Sequence, residues 1–511
     1  MVMRMMGEPA VLSRSGLPDA PQPAFEVSAP LLRPVLRNAL WLLFGNIAAQ
    51  ALAALMGVLL ARRIGPHEYG LYATAFTFAA AFTYAALMGL DSVVPRYVAR
   101  RPEAAGRILL NALCPALIWL PVLTLIIGGI GVALGYGQDV LTLLFPAALV
   151  TGLRGLINLF RSVLRGLERM DLDAAIQGME NGVVLLGVGL ALMVAPSARN
   201  ATFSILLAES LALLVTVLWA GRRVRPRGGE APLAREMLRA SLPIGLTFIM
   251  IGLNLRLDTL VLSLFRPSRE VGFYSAAVAL VMLSRSVALM AGAFLPRLSA
   301  LSGRDDAAFG YLRDRGVQGA LILGTGIGVG MGVLSPFLVH LLYGSLFLET
   351  VPSLRVLSIA GIAMFVNTYF WQVLIAEGKQ GAIARTTVVS LLMSLPLSLI
   401  LVPRWGAVGA AAVALVREAL QTLLLVRVAL RPPRALPARA FLAPFPAAAA
   451  MALILWPFRE ETGVAALLTL LPALLAYMVV LALGDRDLRA ELRRWGITMK
   501  GTKNRTKDTK K

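Results

Sequence analysis

Apolar stretches long enough to cross a bilayer recur from residue 36 almost to the end of the chain, and this recurrence leaves few folds open. A spanning helix needs about 20 predominantly apolar residues. Fourteen such stretches are read, at about 36–61, 70–90, 107–133, 140–160, 174–195, 201–221, 241–264, 272–296, 317–342, 353–376, 386–402, 406–430, 441–458 and 464–484. Water is absent from hydrocarbon, so each backbone N–H and C=O must be satisfied within its own segment, and runs of this length are predicted to be helices. Composition closes the point. Of the 511 residues, 58% are hydrophobic and 15% charged. A soluble domain carries about 25% charged residues, and no soluble core grows large enough to hide this much apolar surface. The expected fold is an all-α polytopic membrane protein of about 14 transmembrane helices.

The polar residues between the stretches set the expected orientation. The net charge of +21 would suggest nucleic acid in a soluble protein. Here Lys and Arg gather in alternate loops, most densely at Arg222, Arg223, Arg225, Arg227, Arg235 and Arg239. The positive-inside rule places those loops, and both termini, in the cytoplasm. The opposite loops are short and leave no room for an extracytoplasmic catalytic domain. Cys114 is the single cysteine, and His67 and His340 are the two histidines, far apart. A metal centre or a hydrolytic triad is therefore poorly supplied, no G-x-x-x-x-G-K-[ST] phosphate loop occurs, and no cofactor is expected. Residues 1–35 are Pro-rich and expected to be disordered. Beyond 484 the tail is basic, with Leu488, Leu492 and Trp495 at helical spacing and a Lys-rich end, as in a segment resting on anionic lipid.

The chain also repeats itself. Glu68, Gly70 and Tyr72 match Glu270, Gly272 and Tyr274 at an offset of 202. Pro95-Arg96 matches Pro296-Arg297 at 201; Val163-Leu164 and Arg169 match Val373-Leu374 and Lys379 at 210; Glu209 matches Glu418 at 209. The offset covers six stretches, an even number, so the halves enter the membrane from the same side. Parallel halves related by an axis along the membrane normal enclose a central cavity in alternating-access transporters. The expected organisation is a six-helix bundle (36–221), a basic cytoplasmic linker (222–240), a second six-helix bundle (241–430), two extra helices (441–484) and the tail (485–511).

Three segments carry a family resemblance: L-L-A-R-R-I-G-P-H-E-Y-G-L-Y (59–72), N-L-R-L-D-T-L-V-L leading into E-V-G-F-Y-S-A-A (254–262 and 270–277), and V-P-R-W-G-A-V-G-A-A-A-V-A (402–414). They resemble the polysaccharide transport proteins, the lipid-linked oligosaccharide flippases of the multidrug/oligosaccharidyl-lipid/polysaccharide (MOP) exporter superfamily. The resemblance implies a transporter, not an enzyme, in the bacterial inner membrane. It would move a polyprenyl-pyrophosphate-linked oligosaccharide from the cytoplasmic to the periplasmic leaflet for O-antigen, capsule or exopolysaccharide assembly. It would be coupled to an ion gradient, with glycosyltransferases or a polymerase as pathway partners and no role for nucleic acid. A cation-coupled multidrug exporter and a lipid II flippase of the same superfamily are the alternatives.

Ionisable groups within the spans are the candidate site, because a charge at mid-membrane costs about 2.5–3.5 kcal/mol on insertion scales unless it faces a cavity or a partner. They include Asp91, Arg154, Glu180, Glu209, Arg256, Asp258, Arg285, Arg417 and Glu418. Guanidinium suits phosphate through its planar fork. Arg285, Arg256, Asn254, Arg62, Arg63 and Arg154 are therefore the expected substrate ligands, with interfacial anchoring as the alternative for Arg62 and Arg63. Asp258, Glu418 and Glu209 are the expected ion-coupling carboxylates, with a salt bridge as the alternative for Asp258 and a structural pair with Arg417 for Glu418. At about 1.5 Å per residue, Arg285 falls near the middle of its span and Arg256 somewhat shallower, so a pyrophosphate could pass between them. Asn254 and Asp258, four apart, are expected on one helix face. Arg37, Arg107, Arg355 and Arg427 lie near span ends and are expected to snorkel. The glycine-rich run 324–332 is expected to be a helix-packing surface.

Overall fold

The computed structural model describes residues 29–224, 228–288, 292, 294–429, 438–462 and 465–484. Among these every regular element is helical. In order they are α1 (Ala29–Ala81), α2 (Thr83–Ala86), α3 (Leu90–Arg100), α4 (Ala105–Ala133), α5 (Gln138–Gly166), α6 (Met170–Val194), α7 (Ala198–Val224), α8 (Ala231–Asn254), α9 (Leu257–Phe265), α10 (Ser268–Ala288), α11 (Leu295–Leu301), α12 (Asp306–Val333), α13 (Ser335–Tyr343), α14 (Val351–Ala376), α15 (Gln380–Ala429), α16 (Ala438–Leu442), α17 (Pro444–Leu455) and α18 (Ala465–Gly484). Ten helices of the described residues are long and apolar enough to cross a bilayer. Large apolar side chains such as Ile118, Leu190, Val194 and Leu453 stand exposed on the outside. A water-soluble surface does not carry such a belt. The chain is an all-α, multi-pass membrane protein.

Helix breaks fall where the backbone or the packing demands them. The first two predicted stretches share the 53-residue α1, broken at Gly65, whose φ of 75° lies in the region that only glycine adopts freely. The eleventh and twelfth share the 50-residue α15, broken at Gly406 (φ 55°). The seventh departs from expectation. It is interrupted at Leu255 and Arg256, the latter with φ −122° and ψ −5°, so α8 and α9 are separate helices. The second is likewise interrupted after Ala81 and turns at Gly89 (φ 79°) before α3.

Equivalent positions at the sequence offsets do equivalent things. α5 ends with Arg169 N–H bonded to Leu164 C=O (2.9 Å), and α14 ends with Lys379 N–H bonded to Leu374 C=O (2.8 Å). Both are the six-to-one bond of a Schellman turn, closed over a residue of positive φ, Glu168 (57°) in one and Gly378 (70°) in the other. Glu68 accepts a hydrogen bond from Ala198 N–H at the start of α7 (2.9 Å). Glu270, its counterpart, lies against Gly406 at the bend of α15.

Two glycine contacts join the first half to the second. The end of the bundle where α7 finishes and α8 begins is termed the linker end, and the opposite one the far end. Near the far end, α1 and α10 cross with no room for side chains. A methyl on Gly70 would strike the Ser268 carbonyl, and a methyl on Gly272 would strike the Pro66 carbonyl. The contact is reciprocal: each glycine faces the other's helix at the same register. Toward the linker end, a methyl on Gly89 would lie 2.6 Å from the Ser241 carbonyl oxygen and one on Gly245 2.7 Å from the Met88 carbonyl carbon. Tyr69, Phe273 and Tyr343 gather around Phe347 beside the first contact and fill the far end.

The run 324–332 is a packing surface on both sides of α12. Gly324 and Gly328 admit the backbone of α14, while Gly326 meets the Tyr477 ring and Gly330 the Met451 side chain. Tyr477 OH donates to Ile322 C=O (2.7 Å) and shares a hydrogen bond with Thr325 (2.8 Å). These contacts seat α17 and α18 on the second half. The tail residues Leu488, Leu492 and Trp495 lie outside the described residues, as do residues 1–28.

Candidate functional site

The charged candidates sort into two polar clusters, one in each half. In the first half α5 presents Arg154, Asn158 and Arg161 along one face, at the spacing of successive turns. Arg154 Nε donates to Glu209 Oε1 of α7 at 2.6 Å. Glu209 is fully buried and its second oxygen has no partner among the described residues. Asn158 donates to Asp91 (3.1 Å) and accepts from Arg165 (3.2 Å), and Asp173 holds both Arg161 (2.7 Å) and Arg165 (3.3 Å). Asp91, Arg154, Asn158, Arg161 and Glu180 border a cavity of about 190 Å³. Its charges are balanced and largely spoken for, so Arg154 stands as a partner of Glu209.

In the second half the charges separate. Asp258 and Arg417 form a buried pair, Oδ2 to Nη1 2.5 Å, with Tyr274 OH reaching the same oxygen at 3.4 Å. The break at Leu255–Arg256 removes the continuous helix face that Asn254 and Asp258 were expected to share. Asp258 is engaged by a guanidinium 159 residues away in sequence. Glu418 is also engaged: Asn367 donates to it at 3.0 Å, and Arg417 lies 3.7 Å from its other oxygen.

What remains is a polar cavity of about 30 Å³ lined by Asn254, Arg285, Asn367, Thr368, Trp371, Thr387, Glu418 and Gln421, with apolar closure from Ile251, Leu255 and Met364. Arg285 makes no hydrogen bond or ion pair with another described residue. Arg285 is half-buried and faces this cavity together with the Glu418 carboxylate. Arg256 is not among the lining residues. It caps α9 and donates to the Gly252 carbonyl (3.2 Å), so the two arginines do not share this cavity. Arg62 and Arg63 are exposed on the last turn of α1 before the Gly65 break, on the far side of the α1–α10 crossing from the cavity. The expected snorkelling of Arg107 and Arg355 takes the form of ion pairs with Glu230 (2.8 Å) and Glu460 (3.2 Å).

Selecting candidates by charge passed over Trp371, Thr387 and Gln421. Their only sequence signal is a polar or aromatic atom inside an apolar stretch, which is common in helices that pack on one another.

Residues 35–302 match the family described as "Polysaccharide biosynthesis protein". Comparison with proteins of curated function finds no match by sequence. Solved structures do match. The lipid II flippase MurJ in an inward closed conformation superposes with a TM-score of 0.74 at 17% identity, covering 87% of this chain and 98% of its own. An inward-facing multidrug resistance MATE family transporter of the MOP superfamily gives 0.63 at 16%, covering 74% and 93%. A MOP superfamily transporter from Pyrococcus furiosus, described by a reverse polarity of its binding pocket, gives 0.56 at 16%, covering 82% and 96%. At these identities the likeness is one of fold.

Proposed function

Because the chain belongs to the polysaccharide biosynthesis protein family, we propose that it is an alternating-access flippase. It carries a polyprenyl-pyrophosphate-linked oligosaccharide from the cytoplasmic to the periplasmic leaflet of the inner membrane. The observation that carries this reading is Arg285: a guanidinium on a polar cavity that makes no hydrogen bond or ion pair with another described residue. A pyrophosphate offers the oxygens that a planar guanidinium binds in pairs. An exporter of organic cations needs an acidic cavity, and here the acidic groups Asp258 and Glu418 are already held by Arg417 and Asn367.

The two parallel halves, 36–221 and 241–430, rock about an axis along the membrane normal. The Gly89–Gly245 contact parts to admit substrate, and the Gly70–Gly272 contact parts to release it. Within the first half, Glu209 is the coupling carboxylate, with one oxygen on Arg154 and the other free to take a proton. The reading places both termini and the basic linker in the cytoplasm, as the loop charge asymmetry favours.

Two measurements test it. Reconstituted into liposomes, the protein is expected to equilibrate a fluorescent lipid-linked oligosaccharide between leaflets, and failure to do so at any imposed ion gradient overturns the assignment. Reporter fusions at Ala308 and the C-terminus are expected to read cytoplasmic, and those at Gly137 and Glu461 periplasmic. A periplasmic C-terminus overturns the orientation and the helix pairing of the halves.

A further inference from the structure

The Arg285 cavity has a second property that its charge does not explain. Four polar atoms in its wall are buried without a hydrogen-bond partner among the described residues: Asn254 Oδ1, Thr387 Oγ1, Gln421 Oε1 and Trp371 Nε1. Buried polar atoms in native proteins are nearly always satisfied, and leaving one unpaired costs the full desolvation of the group. Four orphans converging on one cavity are therefore a cost the fold carries toward something it binds. Their orientation is not loose. Gln421 is held through its amide nitrogen, which donates to Thr386 Oγ1 at 3.1 Å, and this turns its oxygen free.

The chemistry of the set narrows the ligand. Gln421 and Asn254 offer acceptors, Trp371 offers a donor, and Thr387 offers both. A bare cation would be met by acceptors alone, and a second anion by donors alone. A mixed set matches hydroxyl groups, each of which donates and accepts. The indole of Trp371 adds a flat apolar face of the kind on which the C–H side of a sugar ring rests. The present cavity is the size of a water or two, with the halves held together at both glycine contacts. The wall gains room as the Gly89–Gly245 contact, which involves the α8 that bears Asn254, opens.

We propose that this wall, Trp371, Thr387 and Gln421 with Asn254, is the subsite for the sugar linked directly to the pyrophosphate. It selects a neutral, hydroxylated residue, while Arg285 holds the phosphate beside it. The inference rests on the flippase reading and adds to it a division of labour: one group for the charge every such lipid shares, and a neutral wall for the sugar that distinguishes them.

The test is binding of two probes to the full chain in nanodiscs: bare undecaprenyl pyrophosphate, and the same lipid carrying one neutral hexose. The wild type is expected to prefer the glycosylated probe by at least about tenfold, since several unmet hydrogen bonds each contribute about a factor of two to ten. In Trp371→Phe/Thr387→Val/Gln421→Leu the preference is expected to fall below about twofold, with affinity for the bare lipid unchanged. The variant is expected to be about as heat-stable as the wild type, because the loss of three buried polar atoms that had no partner offsets the loss of the one hydrogen bond from Gln421 to Thr386. That combination separates a ligand-binding wall from a structural one. A variant that keeps the preference, or loses both probes equally, overturns the subsite and leaves the flippase reading standing. A wild type that binds neither probe overturns the flippase reading and the subsite with it.

Discussion

Arg285→Ala is expected to abolish transport of the lipid-linked sugar while leaving the protein in the membrane. The side chain makes no hydrogen bond or ion pair with another described residue, so no partner is orphaned by its loss. The change removes a charge from an apolar environment, which favours insertion. What it takes away is the phosphate ligand, and only the transport cycle needs that. Arg285→Lys is expected to restore a minor part of the activity, because an ammonium keeps the charge and loses the two-pronged geometry. The measurement is complementation of a flippase-null strain, with membrane protein level followed in parallel. A stably inserted Arg285→Ala that still exports normal glycan would mean that the phosphate is held elsewhere.

Asp258→Ala is expected to behave in the opposite way, losing the fold before function can be asked about. Asp258 and Arg417 are both nearly inaccessible and 2.5 Å apart. Removing Arg417 leaves Asp258 only the Tyr274 hydroxyl, and removing Asp258 leaves Arg417 only the more distant Glu418 at 3.7 Å, so a loss of about 3–5 kcal/mol is expected. Arg417→Ala is expected to cost about the same. The double variant is expected to be more stable than either single one, because the two desolvation penalties vanish together. Thermal unfolding of the purified protein in detergent reads this directly. Single losses that simply add in the double variant would show that the pair does not stabilise as a unit.

These two expectations mark where sequence reasoning succeeded and where it stopped. Hydropathy was sufficient for the helical class, because a bilayer accepts almost nothing else from runs of this length. The Schellman turns at Leu164–Arg169 and Leu374–Lys379 were visible as short matches, since a turn closed by local hydrogen bonds is written in contiguous residues. Arg285 stood out because a charge in an apolar run is conspicuous. The break at Leu255–Arg256 was not legible, because neither a proline nor a glycine stands at it. The Asp258–Arg417 pair joins two helices far apart in sequence, and no local spacing reports that. The neutral wall was missed for a third reason. Thr387 and Gln421 differ from ordinary helix-packing residues in each carrying a buried oxygen with no partner among the described residues, and that is a property of the assembled molecule.

The reciprocal crossing of Gly70 and Gly272 ties two distant positions of the chain to one another. Each segment is the mould of the other there, since a side chain on either glycine drives into the opposite backbone. Neither position can gain a methyl group unless the facing backbone gives way. The motif Glu-x-Gly-x-Tyr stands at both 68–72 and 270–274, where the two segments press against each other, so a substitution at one glycine is expected to be felt at both.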